Sequence, residues 1–246
     1  MINKRYILIL FFIITCTGKL FAQYVPSWGG GADQQDFSFG FTFQFVNADF
    51  KIVKDQNWRR PFRDTEYPYH NVTDSLNSMS SKSTPGFAIG FVSRYSLNDH
   101  IEIRSTPLLS FTDKRINYEY QTDKYSQEKQ VQNTSVDIPL SLKLKSDRIA
   151  DFRLYLIGGI KYTFNINKKP NQADIGYLDK KLQLVRNYAS YEAGIGCDIY
   201  FEYFKLSPEL KLANSFGDVL LHENHPFAVP ISKLFLHTIM FSLTFE

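Results

Sequence analysis

The sequence predicts an all-β fold, an eight-stranded antiparallel transmembrane β-barrel of the outer membrane with short periplasmic turns and four long extracellular loops. Three observations lead there. Apolar residues recur at every second position through eight stretches, which is the strand period. The polar segments between these stretches alternate long and short along the chain. No run after the N-terminus approaches the ~20 apolar residues of a membrane-spanning helix.

The N-terminus reads as an export signal. Asn3, Lys4 and Arg5 precede the apolar run Tyr6 to Ile14, and Ala22 stands before Gln23. This predicts a signal peptide over 1–22, a periplasmic lead over 23–36 and the barrel over 37–246. Residues 13–15 make a poor lipobox for Cys16. After cleavage Cys197 alone remains, so no internal disulfide holds the fold.

The first strand, 37–46, is the plainest. Phe37, Phe39, Phe41, Phe43 and Phe45 share one face, with Ser38, Gly40, Thr42 and Gln44 on the other. In a sandwich such a face meets a second sheet, and in a barrel it meets lipid. The further strands are expected at 86–95, from Ile101 past Phe111 to Tyr120, at 135–145, 152–164 and 188–201, from Phe204 to Leu212, and at 234–245. The long connections are then 47–85, about 112–133, 165–186 and 214–233. The tight ones are 97–100, 146–148 and a reversal near Glu202–Tyr203. Eight is the smallest even number that closes such a barrel, and segregation of loop length by end is its signature. The phenylalanines therefore face lipid. Pro107, Pro139 and Pro208 lie inside strands and are expected to mark bulges or kinks.

Composition agrees. The 246 residues include 22 Phe and 15 Tyr but 3 Met and 2 Trp. A net charge of +3, from 28 basic and 25 acidic residues, predicts no nucleic-acid partner. A mean hydropathy of −0.26 fits alternating strands joined by polar loops.

If the apolar set faces lipid, the opposite set faces the lumen. It contains Gln44 and the charges Glu102, Arg104, Asp137, Lys143, Arg153, Lys161, Glu192, Asp198, Glu209 and Lys211. A barrel of eight strands is only wide enough for its side chains. The expectation is a plug of paired charges rather than a pore, since an unpaired buried charge is costly.

No catalytic residue, cofactor site or metal site emerges. The His residues form no triad spacing with a Ser, and no phosphate loop or dinucleotide fingerprint appears. His222 and His225, at i and i+3 before Pro226, lack the helical H-E-x-x-H spacing and read as a solvated loop. His237 reads as an interfacial residue, and Cys197 as an inert small hydrophobe. The chain is not expected to be an enzyme. In the first long loop, Trp58, Arg59, Arg60, Phe62, Arg63, Tyr67 and Tyr69 form either a partner-binding surface or a loop capped by its own aromatics. Residues 74–76, DSL, match an O-glycosylation acceptor pattern described for Bacteroidota.

FGFTFQFVNADFKI at 39–52, SVDIPLSLKLKSDR at 135–148 and NYASYEAGIGCDIYFEYFKLSPELKLANSFGDVL at 187–220 resemble the PorT family of Bacteroidota. YFKLSPELK at 203–211 is the most specific part. The family comprises small outer-membrane barrels of the type IX secretion and gliding machinery. The resemblance implies a non-enzymatic part of a secretion machine, with outer-membrane lipid and other secretion proteins of the outer membrane or periplasm as partners. The competing expectation is a surface-binding barrel of the adhesin type.

Overall fold

The computed structural model describes residues 35–63, 71–167 and 175–246. The signal peptide, most of the lead, Tyr67 and Tyr69 lie outside the described residues. Ten strands form one antiparallel sheet. They are β1 (Phe37–Lys54), β2 (Leu76–Lys82), β3 (Thr84–Ser96), β4 (Ile101–Ser105), β5 (Leu108–Tyr120), β6 (Gln127–Lys145), β7 (Phe152–Asn165), β8 (Asn187–Tyr200), β9 (Lys205–Ser215) and β10 (Ile231–Phe245). Two pairs are interrupted single staves: β2 continues into β3 past Ser83, and β4 into β5 past Thr106 and Pro107. Eight staves result.

The sheet closes on itself. From β1 the order runs through β10, β9, β8, β7 and β6 to the β4/β5 stave and β3, and β3 pairs back with β1 from Phe37↔Tyr95 to Ala48↔Thr84. Closure removes sheet edges where the ring is complete. The prolines sit where a missing N–H does least harm. Pro107 falls in the gap between β4 and β5. Pro139 keeps its register with β7, opposite Lys161, and turns its other side toward that gap, where its carbonyl accepts from Thr106 N at 3.4 Å. No bulge is needed there, contrary to expectation. Pro208 interrupts the β8–β9 ladder, which skips from Gly196↔Glu209 to Ile199↔Leu206.

The two ends differ. At one end, residues 97–100, 146–151 and 201–204 make short turns. At the other, 55–75, 166–186 and 216–230 are long, but 121–126 is only a hairpin tip with a 3-10 turn over Asp123–Tyr125. Three long connections therefore stand where four were expected. Of the expected loops, 112–133 is mostly strand and 47–85 is strand at its two ends: β1 runs on to Lys54, β2 begins at Leu76, β5 reaches Tyr120 as the expected third strand did, and β6 begins at Gln127.

These strands were hidden because their alternation reverses sign. Up to Phe45 the apolar residues of β1 point outward; Phe37, Phe39, Phe41, Phe43 and Phe45 are 49–67% exposed. Past Phe45 the outward residues are Asn47, Asp49 and Lys51, while Val46, Ala48 and Phe50 are buried inside. β5 switches likewise, with Leu109 and Phe111 outward, then Asp113, Arg115, Asn117 and Glu119 outward over buried Ile116, Tyr118 and Tyr120. Nine residues of β1 at ~3.3 Å rise and ~40° tilt give an apolar belt roughly 23 Å tall, the height expected of a lipid-facing band. Beyond it the strands continue as an ordinary water-facing sheet with an apolar core.

Candidate functional surfaces

The interior has two tiers. The lower tier, within the belt, is charged. Lys143 Nζ lies 2.9 and 2.8 Å from the two carboxylate oxygens of Asp198, and Ser207 donates to the same carboxylate at 2.5 Å. Arg104 pairs with Glu209, with Glu102 at 3.4 Å and with Glu246 at 3.3 Å. Arg94 Nε reaches Glu246 at 2.9 Å, and Lys205 also pairs with Glu246. Lys145 meets Glu102 and Lys211 meets Glu209, each at 3.4 Å.

Tyr155 sits among these charges. Its hydroxyl donates to Glu209 at 2.7 Å, and Lys143 Nζ stands 3.8 Å above its ring. Gly196 makes room for that ring, since a Cβ there would come within 2.5 Å of Tyr155. Higher up, Lys161 faces Asp137 at 3.5 Å, Ser141 donates to Glu192 at 2.7 Å, and Lys114 donates to Thr112 at 3.2 Å. A cavity of about 20 Å³ at this level, lined in part by Gln44, Lys114, Asp137 and Lys161, has room for one water.

Nine of the ten charges expected in the lumen are thus buried inside the ring: Glu102, Arg104, Asp137, Lys143, Lys161, Glu192, Asp198, Glu209 and Lys211. Arg153 is the exception. It has the inward parity, but it stands half-buried at the short-turn rim and donates to Asp99 O at 3.3 Å. Arg94, Lys114, Lys145, Lys205 and Glu246 were missed although their parity along the strands marks them as inward.

The upper tier is apolar. Val46, Phe50, Leu76, Met79, Ile116, Leu220, Phe227, Leu234 and Leu236 pack in one core over the charged tier. The connection 216–230 folds into it. Tyr118 donates to Phe227 O at 2.8 Å, and Phe227 N donates to His225 Nδ1 at 3.3 Å. His225 is fully buried, which corrects the solvated-loop reading for this residue: the apolar core above the belt draws the segment inward. Burial, with Lys180 and Lys129 nearby, pushes its pKa down to about 4. His222 remains exposed, 2.7 Å from Asp218. Burial raises the Asp218 pKa, but hydrogen bonds from Leu220 N, His222 and Leu234 N outweigh it and hold the carboxyl below its usual value. Among the described residues no group of three His, Cys, Asp or Glu is placed to hold a metal.

On the outer wall, His237 is half-buried at the upper edge of the belt, with Nδ1 2.7 Å from Asn214 Oδ1. Cys197 is a free thiol on the outward face near Pro208. Beyond the upper core, Lys54 Nζ and the Arg59 guanidinium stand over the Trp58 ring, 4.1 and 4.9 Å from its centroid. Phe62 leans on Tyr177 at 5.5 Å, and Arg60 and Arg63 are exposed. The cationic and aromatic residues of 58–63 are thus brought to one rim.

A closed ring with an apolar outer belt and a charged interior defines an outer-membrane β-barrel. The chain matches the model of the outer membrane protein beta-barrel domain family over residues 21–221 and belongs to that family. Among solved structures it is similar to the outer membrane protein OprG from Pseudomonas aeruginosa, with 11% identity and a TM-score of 0.44 over 86% of this chain and 96% of that one. Neisserial surface protein A gives 11% identity and a TM-score of 0.41 over 85% and 98%, and AlkL gives 12% and 0.40 over 91% and 93%. No curated protein matches the chain.

Proposed function

We propose that this barrel is a non-enzymatic component of a protein secretion system of the PorT type, acting through its surfaces and not as an open conduit. The short-turn end faces the periplasm, and the long connections face outward. What carries the reading is the filled interior: paired charges in the lower tier and a packed apolar core in the upper leave no path for cargo. A protein that contributes to export without a conduit must do so by docking to other components. The PorT-like stretches at 39–52, 135–148 and 187–220 supply the secretion assignment.

The test is depletion of the protein followed by comparison of periplasmic and extracellular proteomes. Normally secreted proteins accumulate in the periplasm while other outer-membrane barrels stay at normal levels. Unchanged export refutes the secretion role. The cationic, aromatic rim at 58–63 favours a second reading, a surface-binding barrel of the adhesin type. On that reading, scrambling 58–63 abolishes surface attachment and leaves export intact.

A further inference from the structure

Beside that rim is a groove of about 630 Å³, within the size range of ligand sites. One wall is the segment Asn57–Arg63. The other is Pro226, Val229 and Pro230, and Leu76 and Tyr120 lie at the base. The walls are tied in place by the backbone. Asp55 N donates to Pro230 O at 3.0 Å, Leu76 N to Arg59 O at 3.2 Å and Val72 N to Phe62 O at 2.9 Å, and Arg63 bridges to Asn71. Thr73 Oγ1 accepts from Phe62 N at 3.2 Å. A site held in this way loses little entropy on binding.

The chemistry of the lining narrows the occupant. Arg60 and Arg63 open onto the groove, and among the described residues neither is paired with a carboxylate. Lys54 and Arg59 add positive charge beside them; among the described lining residues the one carboxylate is that of Asp55, which already accepts from Asn57 N at 2.9 Å. The facing wall of two prolines and a valine is apolar. Cations stand over Trp58, Phe62 packs on Tyr177 and Tyr120 on Tyr125, so the lining favours an anion over a neutral sugar.

We propose that this groove binds an extended acidic peptide segment of a partner protein, its carboxylates held by Arg60 and Arg63 and an apolar side chain seated against Pro226 and Val229. The proposal deepens the surface-docking reading and rests on it for the biological partner. Guanidinium–carboxylate pairing gives direction and register, and the apolar wall gives selectivity over a purely anionic chain.

The experiment uses the full barrel in lipid nanodiscs and a labelled, capped hexapeptide alternating glutamate with leucine, read by fluorescence anisotropy. Binding is expected to saturate, to weaken with added salt, and to drop at least tenfold in R60E/R63E. It is also expected to drop in V229D, which leaves both arginines in place. Heat-dependent gel mobility verifies that each variant still forms the barrel. The proposal is overturned if the peptide does not bind, if a glutamine–leucine peptide binds as well, if oligogalacturonate of equal charge binds more tightly, or if the variants bind unchanged. In cells, normal export by R60E/R63E together with blocked export on depletion sinks the groove and leaves the secretion reading standing. Peptide binding together with intact export on depletion does the reverse.

Discussion

Lys143 and Asp198 show what a single pair contributes inside the belt. Both are fully buried and 2.8 Å apart, so neither can turn to water if the other is removed. Lys143→Met is expected to cost roughly 3–5 kcal/mol, because it strands a buried carboxylate. Lys143→Met with Asp198→Leu is expected to recover much of that loss, and urea unfolding in lipid vesicles measures both. On the outer wall, Phe41→Arg near the middle of the belt is expected to cost about 2–4 kcal/mol. Ser38→Arg at the short-turn mouth should be mild. Gln44→Arg should not be: Gln44 is buried beside a cavity with room for one water, so a larger cation overfills the waist. His225 adds a pH dependence above the belt. Its folded pKa of about 4 lies below the unfolded value of ~6.5, so the unfolded segment takes up protons first as pH falls. The stability from keeping this ring neutral is whole above pH ~6.5 and is lost as pH falls toward 4. The protection factors of residues 219–231, with the intrinsic pH dependence of amide exchange divided out, should therefore fall over that window, and His225→Phe should flatten the response.

At the scale of the element, β1 explains both what could be read and what could not. Its first half was legible because five phenylalanines at period two mark one apolar strand face, which the alternation of loop lengths assigns to lipid. Its second half, VNADFKIVK at 46–54, keeps the same period with the opposite sign, since water replaces lipid outside and an apolar core replaces charges inside. The paired apolar residues Phe45 and Val46 mark the change of phase, and a search for one continuous apolar face ends there. The same reversal hid the start of β6, whereas the end of β5 at Tyr120 fell within the expected third strand. Lumen charges were legible by parity, and Arg94, Lys145 and Lys205 obey the rule that exposed the others. The buried place of His225 was not legible, because it depends on an apolar core assembled from distant segments. If the upper tier is such a core, Phe50→Asp should open it to protease at 216–230 while the barrel keeps its heat-dependent gel mobility. Tyr118→Phe, which loses one buried hydrogen bond to Phe227 O, should cost about 1 kcal/mol.

For the whole molecule, closure and filling act together. Pairing of β3 with β1 removes the open edges, and the eight staves leave an interior that side chains fill. The strands then rise past the belt and carry the rim of Trp58, Arg60 and Arg63 well clear of it, where a partner can reach it. Because the lumen is sealed in two different ways, a variant that loosens only the charged tier should remain non-conducting, with the apolar core above still shut. The most direct test is to reconstitute the purified barrel in a planar bilayer and record current across a range of voltages. A sealed barrel gives no steady conductance above the bare bilayer. Reproducible, long-lived open levels would show a continuous water path through both tiers and would contradict a protein that works through its surfaces alone.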